Sequence, residues 1–133
     1  MGMTTHHTDE RTLPAELQAR LDHLGALARN WDSYDAEPIS PKAISLARTV
    51  LCRSIEALER HGAQNVLPFA IAPVSDGGVQ LEWRSHTGFV EIEIGSSGAL
   101  SALVGRGVPS SRIEEERPNV SVADVATLLV AIV

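Results

Sequence analysis

The chain has 133 residues, of which 44% are hydrophobic and 21% are charged, and its formal net charge is −6. This composition predicts one globular domain with its own core and excludes wholesale disorder. The excess of acids opposes non-specific binding to nucleic acid or to an anionic membrane, because both need a basic surface. A single cysteine, Cys52, excludes an internal disulfide and suits a reducing compartment. No apolar run reaches the length of about 18 residues that a membrane span needs, so a soluble, cytoplasmic protein is expected.

The first helix is predicted by leucines that recur at steps of three and four between Leu17 and Leu27. Thr12 is the expected cap, and Pro14 is tolerated in the first turn. Trp31 continues the apolar stripe one turn beyond Leu27. The helix is expected to end near Asn30, because the polar segment "NWDSYDAEPIS" begins there.

Two further helices have clear start signals. Ser40 followed by Pro41 predicts the start of the second helix, and Gly62 its end. Ser121 and Asp124 have the spacing of a capping box, which predicts a third helix over the apolar C-terminus.

The middle of the chain changes to a period of two, which predicts antiparallel strands. "VQLEWR" and "FVEIEI" have matching apolar faces only if His86 and Thr87 form a two-residue turn, which places Glu82 opposite Glu91 on the polar face. "VLPFAIAP" predicts an edge strand because of its prolines, and "ALSALVG" predicts a further strand after a turn with Gly98 in the left-handed conformation. The apolar pairs predicted for the hairpin are Trp83 with Val90, Leu81 with Ile92, and Val79 with Ile94.

These elements predict an α+β fold. Residues 12–133 are expected to form a single domain in which an N-terminal helical hairpin and a C-terminal helix pack on one face of an antiparallel β-meander of three or four strands. Residues 1–11 are polar and aperiodic and are expected to be a flexible tail, and residues 105–119 are expected to be an irregular loop.

The polar segment contains three carboxylates, those of Asp32, Asp35 and Glu37. They are close enough in sequence to share a cation or to act as an acid-base pair, but their spacing does not match an EF-hand loop. The alternative is a helix-to-helix reversal, in which Asp and Ser side chains accept hydrogen bonds from nearby backbone N–H groups. Both interpretations stay open on the sequence alone, and the structural one is favoured.

Other residue types give no sign of a catalytic or cofactor site. His23, His61 and His86 lack the spacing of metal ligands, and Cys52 lies beside an apolar stripe, as a packed thiol does. The glycine-rich segment "GSSGALSALVGRG" matches no phosphate-binding pattern. The sequence therefore predicts no catalytic residue, no metal site and no cofactor.

Two segments together carry a family resemblance. "NWDSYDAEPIS" followed by "PVSDGGVQLEW" is similar to a group of small uncharacterised bacterial proteins, over residues 30–94. Those proteins tend to have glycine at the positions of Ser33 and Asp35, so their substitution here argues against an obligatory left-handed turn. The resemblance implies a folded family and no particular activity. The matching residues are Asn30, Trp31, Asp32, Tyr34, Pro38, Asp76, Gly77, Gly78, Glu82 and Trp83.

The favoured function is a non-catalytic protein-interaction module of a bacterial system, accessory, antitoxin-like or immunity-like, and a homo-oligomer stays open. Its expected contact surface is the polar sheet face with Glu82, Phe89, Glu91 and Glu93, since an acidic domain complements a basic partner. The alternative is a small carboxylate-dependent enzyme or metal-binding protein, in which Asp32 and Asp35 converge with Glu82 or Glu91. Nucleic-acid binding through the second helix is the least favoured, and would use Lys42, Arg48, Arg53 and Arg60.

Overall fold

A computed structural model describes residues 12–133, so the predicted tail of residues 1–11 lies outside the described residues. Two helices are followed by five strands and a third helix, with a short 3-10 turn before the last strand. No helix within residues 12–133 is long and apolar enough to cross a membrane. The elements are α1 (Ala15–Gly25), α2 (Pro41–Arg60), β1 (Ala70–Pro73), β2 (Val79–Ser85), β3 (Gly88–Ile94), β4 (Leu100–Arg106), the 3-10 turn (Pro109–Ser111), β5 (Ile113–Pro118) and α3 (Val122–Ile132).

The five strands form one antiparallel sheet in the order β1-β2-β3-β4-β5. The predicted register of the β2–β3 hairpin is confirmed, with Trp83 paired to Val90 and Glu82 paired to Glu91. Gly98 has a φ of 99°, so the predicted left-handed turn between β3 and β4 is also confirmed. The α+β meander therefore follows from side-chain alternation and turn residues.

The core lies between the inner face of the sheet and a single layer formed by the three helices. Leu24 of α1, Leu51 of α2 and Leu129 of α3 are fully buried in one apolar cluster with Leu81 and Ile92 of the sheet. Trp83 is also fully buried, and its indole Nε1 donates to the Val66 carbonyl at 3.0 Å. The other face of the sheet carries no helix from this layer.

The predicted number of strands was too low. Residues 113–118 form β5, although this part of the predicted loop of residues 105–119 has no apolar alternation. β5 carries three consecutive glutamates, and five of its six residues are exposed. A strand that lies at the sheet edge and buries neither face needs no apolar alternation, which is why the sequence pattern did not predict it.

The first helix is shorter than predicted, whereas the other two start as expected. α1 ends at Gly25 rather than near Asn30, and its N-cap is Pro14 rather than Thr12, without a side-chain capping bond. The predicted Ser40 cap of α2 is confirmed, because its hydroxyl accepts from the Ala43 N–H at 2.9 Å. The Ser121 capping box of α3 is confirmed as well.

Candidate functional site

The polar segment after α1 is a hydrogen-bonded reversal between α1 and α2. Asp32 Oδ1 accepts from the backbone N–H groups of Tyr34 at 2.8 Å and Ala36 at 3.1 Å. Asn30 Oδ1 accepts from the Asp35 N–H at 2.7 Å, so a second short side chain also holds the backbone. Trp31 Nε1 donates to the Glu37 carbonyl at 2.7 Å. These contacts support the structural interpretation of the segment, because the Asp32 carboxylate is used as a backbone acceptor.

Three non-glycine residues in this reversal have a left-handed backbone. The φ angles are 67° at Asn30, 66° at Ser33 and 66° at Asp35. The expectation that the absence of glycine argues against a left-handed turn was therefore wrong. Short polar side chains can hydrogen-bond locally in this conformation, as Asn30 does, which offsets part of the steric cost of the β-carbon.

The two segments that carry the family resemblance are in direct contact. The Glu37 N–H donates to the Ser75 carbonyl and the Ser40 N–H to the Gly77 carbonyl, both at 2.9 Å. Gly77 has a φ of 96°, and a β-carbon there would lie 3.0 Å from the Pro38 carbonyl oxygen. The helix-to-helix reversal and the β1–β2 turn therefore hold each other by backbone contacts. Tyr34 also belongs to the residues that carry the resemblance, but it is 87% exposed.

The outer face of the sheet, which no helix or strand among residues 12–133 covers, carries the second group of candidate residues. Cross-strand pairing places Glu82 opposite Glu91, Glu91 opposite Leu103, and Leu103 opposite Glu116. Two side-chain contacts partly compensate the charges within the face: Arg84 Nε lies 2.6 Å from Glu82 Oε2, and Gln80 Nε2 donates to Glu91 Oε2 at 2.9 Å. We call this surface the acidic face. Its glutamates are Glu82, Glu91, Glu93, Glu114 and Glu116.

Glu91 lies at the electrostatic centre of the acidic face. Its partial burial raises the pKa of the carboxyl above its ordinary value, and the neighbouring carboxylates of Glu82, Glu93 and Glu114 raise the pKa further. The Glu91 carboxylate is therefore less favourable in the folded protein than in the unfolded chain, and a cation placed beside it would relieve the repulsion.

Aromatic rings and arginines lie at one end of the acidic face. The Arg84 guanidinium lies 3.7 Å from the centre of the Phe69 ring, and that of Arg112 lies 5.3 Å from the centre of the Phe89 ring. Phe89 also packs on Gly105, where an added β-carbon would meet the ring at 2.2 Å. Phe89 is thus held in place by its own sheet, whereas Phe69 is 60% exposed.

The loop carboxylates and the sheet carboxylates belong to separate hydrogen-bond groups. Asp32 binds loop backbone and Asp35 lies 3.4 Å from Arg29, whereas Glu82 and Glu91 contact Arg84 and Gln80. Within the described part of the chain, no group of three or more His, Cys, Asp or Glu residues could hold a metal ion. The geometry therefore offers no support to the carboxylate enzyme or metal site considered above.

Sequence reasoning missed the part of the acidic face that β5 contributes. Glu114 and Glu116 join this surface because β5 pairs with β4, whereas Leu103 lies on it through the pairing of β4 with β3. The run of three glutamates from Glu114 to Glu116 was the available signal, since charged residues are common on exposed edge strands.

Replacement of Ser33 by glycine should stabilise the fold. Removal of the β-carbon from a left-handed position gains about 1–2 kcal/mol, and the added freedom of the unfolded chain returns part of it, so we expect a net gain of about 0.5–1 kcal/mol in urea denaturation. Ser97 is the control, because it is an exposed turn residue outside the positive-φ set. Ser97→Gly should lower stability slightly, and a similar gain in both variants would contradict the backbone explanation.

The role of Asp32 as an acceptor can be separated from its charge. Asp32→Ala leaves two loop N–H groups without their partner and should cost about 1–2 kcal/mol of unfolding free energy. Asp32→Asn keeps an acceptor oxygen and should cost less than half of that. Equal losses in chemical denaturation would show that the charge, rather than the hydrogen bonds, holds the loop.

Glu91→Gln should raise stability at neutral pH, and the gain should disappear in acid. Because the folded pKa of Glu91 is raised, the stability that its protonated form contributes is fully present below about pH 4.5 and is lost as the pH rises through the folded pKa. Thermal unfolding across this range should show the variant and the parent converging at low pH. Glu56→Gln on α2 is the control, and it should show no comparable gain in stability over the parent at neutral pH.

No family model matches the chain, and neither the curated proteins nor the solved structures contain a match. The function must therefore be argued from the geometry of the described residues.

Proposed function

We propose that the protein is a non-catalytic interaction module that binds a basic surface of a protein partner through the acidic face. The observation that carries this proposal is that a sheet whose inner face is sealed by three helices leaves five glutamates on an uncovered outer face. An accessory, antitoxin-like or immunity-like role fits a small acidic domain that neutralises a basic enzyme surface.

The charge arrangement supports a basic partner. Directly opposed carboxylates destabilise a sheet, so Glu82 opposite Glu91 is a cost that the isolated domain carries. Arg84 compensates Glu82, while burial and, after it, the carboxylates of Glu82, Glu93 and Glu114 raise the pKa of Glu91. Lysine or arginine side chains from a partner would remove this repulsion and would increase the rate of association.

The shape of the acidic face also fits a long basic side chain. Glu91, Glu93 and Glu116 surround Leu103 at a shallow concavity of about 220 Å³. Leu103 supplies an apolar floor for the methylene stem of a lysine or arginine, and the carboxylates around it accept from the charged tip. This arrangement is more selective than a uniformly charged surface.

The aromatic end of the acidic face supplies the apolar part of the contact. A second concavity of about 540 Å³ is lined by three apolar residues, two arginines, two glutamates and two other polar residues: Phe89, Leu103, Pro109, Arg84, Arg112, Glu82, Glu91, Ser85 and His86. Aromatic residues and arginines are enriched in protein interfaces, and the residues that dominate binding energy are often of these types. We infer that the partner presents basic residues toward Glu91 and Glu93 and an apolar or acidic group toward this end.

The proposal is tested by removing charge from the acidic face without changing its shape. The triple variant Glu82→Gln, Glu91→Gln and Glu93→Gln is compared with Glu16→Gln, Glu56→Gln and Glu59→Gln, which remove the same charge from α1 and α2. Both tagged variants are used to capture partners from a lysate of the native host at about 0.15 M salt, followed by quantitative mass spectrometry and affinity measurement.

We expect the sheet variant to lose roughly threefold to a hundredfold of the affinity for the captured partner, since three exposed charge pairs contribute about 0.2–1 kcal/mol each. The helix variant should bind like the parent. Equal loss in both variants, or a parent protein that retains no partner, would refute the proposal.

A further inference from the structure

The two edges of the sheet differ in how their free backbone groups are treated. The Val74 N–H donates to the Gly78 carbonyl, so the backbone groups of Ala70 and Ala72, at every second position before Val74, point toward β2. The backbone groups of Ile71 and Pro73 point away from the sheet. The Ile71 carbonyl accepts from Arg20 Nε of α1 at 3.0 Å, and proline has no N–H to offer. The β1 edge is therefore closed by α1 and by proline.

The β5 edge is open within the described residues. The Gly107 N–H donates to the Thr87 carbonyl, and the Gly95 N–H donates to the Ala99 carbonyl. The backbone N–H and C=O groups of the odd-numbered residues of β4 therefore point toward β3, and those of the even-numbered residues point toward β5. The register pairs Val104 with Glu115, so the odd-numbered residues of β5 bond to β4. The N–H and C=O groups of Glu114 and Glu116 consequently point away from the sheet, and no strand among residues 12–133 pairs with them.

The residues that offer free backbone groups also carry the carboxylates of the acidic face. Glu114 pairs with Gly105 and Glu116 with Leu103, so both side chains lie on the outer face. Glu115 lies on the opposite side, where its carboxylate is 3.3 Å from Arg117. An added strand would therefore meet two carboxylates, spaced two residues apart, beside two sets of backbone donors and acceptors.

Charge decides which strand can be added. A second copy of this chain would bring the same run of glutamates to the edge, and like charges directly opposite each other destabilise a strand pair. A segment with lysine or arginine at alternate positions places its basic side chains across from Glu114 and Glu116, and opposite charges at cross-strand positions stabilise a strand pair.

We propose that the β5 edge binds an extended basic segment of the partner as a sixth strand of the sheet. The inference rests on the proposed function and adds to it where and in what conformation the partner binds. Backbone hydrogen bonds to Glu114 and Glu116 supply affinity, and the basic residue at every second position supplies specificity. The added strand extends the acidic face and lies alongside the concavity at Leu103.

The test uses a synthetic decapeptide of alternating lysine and threonine, with a second peptide in which each lysine is replaced by glutamate. Amide hydrogen exchange is followed by NMR in the full chain. On binding of the basic peptide, exchange of the Glu114 and Glu116 amides should slow by roughly tenfold or more, whereas the Glu115 and Arg117 amides, already bonded to β4, should change little.

Two variants separate the backbone contribution from the charge. Glu116→Pro removes the outward N–H and leaves the β4 ladder intact, whereas Glu116→Gln removes only the charge. We expect the proline variant to bind the basic peptide at least roughly tenfold more weakly than the glutamine variant, with both folded by circular dichroism.

Each remaining outcome overturns the edge proposal. Equal binding by the two variants, or peptide binding without protection of the Glu114 and Glu116 amides, would place the peptide elsewhere and would leave docking on the acidic face intact. Absence of binding by the basic peptide would also overturn the edge proposal. Concentration-dependent protection without peptide would identify a second copy as the occupant. Loss of partner capture in the parent protein, by contrast, would refute the proposed function itself.

Discussion

The register between β2 and β3 is the constraint on which the rest of the structure depends. It places Trp83, Leu81 and Val79 on one face with their apolar partners from β3, and that face is sealed by the helices. A shift of one residue would turn the polar side chains of one strand, and with them either Glu82 or Glu91, into the core, at the cost of burying unpaired charges. The apolar pairing and the carboxylate pairing are therefore two results of the same register.

The reversal between α1 and α2 positions the helical layer relative to the sheet. Its backbone bonds to the β1–β2 turn set where α2 begins, and the Ser40 hydroxyl both caps α2 and donates to the Ser96 carbonyl at 2.8 Å. Left-handed non-glycine residues carry a steric cost of about 1–2 kcal/mol each, which the hydrogen bonds of Asn30 and Asp32 partly offset. A strained segment of this kind is retained where its ends are held on both sides, as they are here.

The one-sided helical layer has an electrostatic consequence. Among the described residues, Arg84 and Gln80 compensate the outer carboxylates only in part, and burial and neighbouring carboxylates raise the pKa of Glu91. The two edges of the sheet also differ. Arg20 and Pro73 close the β1 edge, whereas the outward backbone groups of Glu114 and Glu116 leave the β5 edge able to pair. A basic, extended partner is the chemistry that complements both features at once.

The sequence by itself determined the elements whose signals are local. Side-chain alternation determined the β2–β3 register, and a turn glycine determined that the sheet continues into β4. Capping residues determined where α2 and α3 start. Each of these signals depends on residues a few positions apart. Tertiary structure alone decided that a run of three glutamates forms β5, since an exposed edge strand is held by backbone pairing that leaves no apolar pattern. It also decided the left-handed angles at Ser33 and Asp35 and the early end of α1, because contacts with the distant β1–β2 turn hold the reversal in place. The acidic face was thus predictable in part: its positions on β2, β3 and β4 follow from local alternation and turn residues, whereas its β5 residues follow only from the strand pairing of the folded chain.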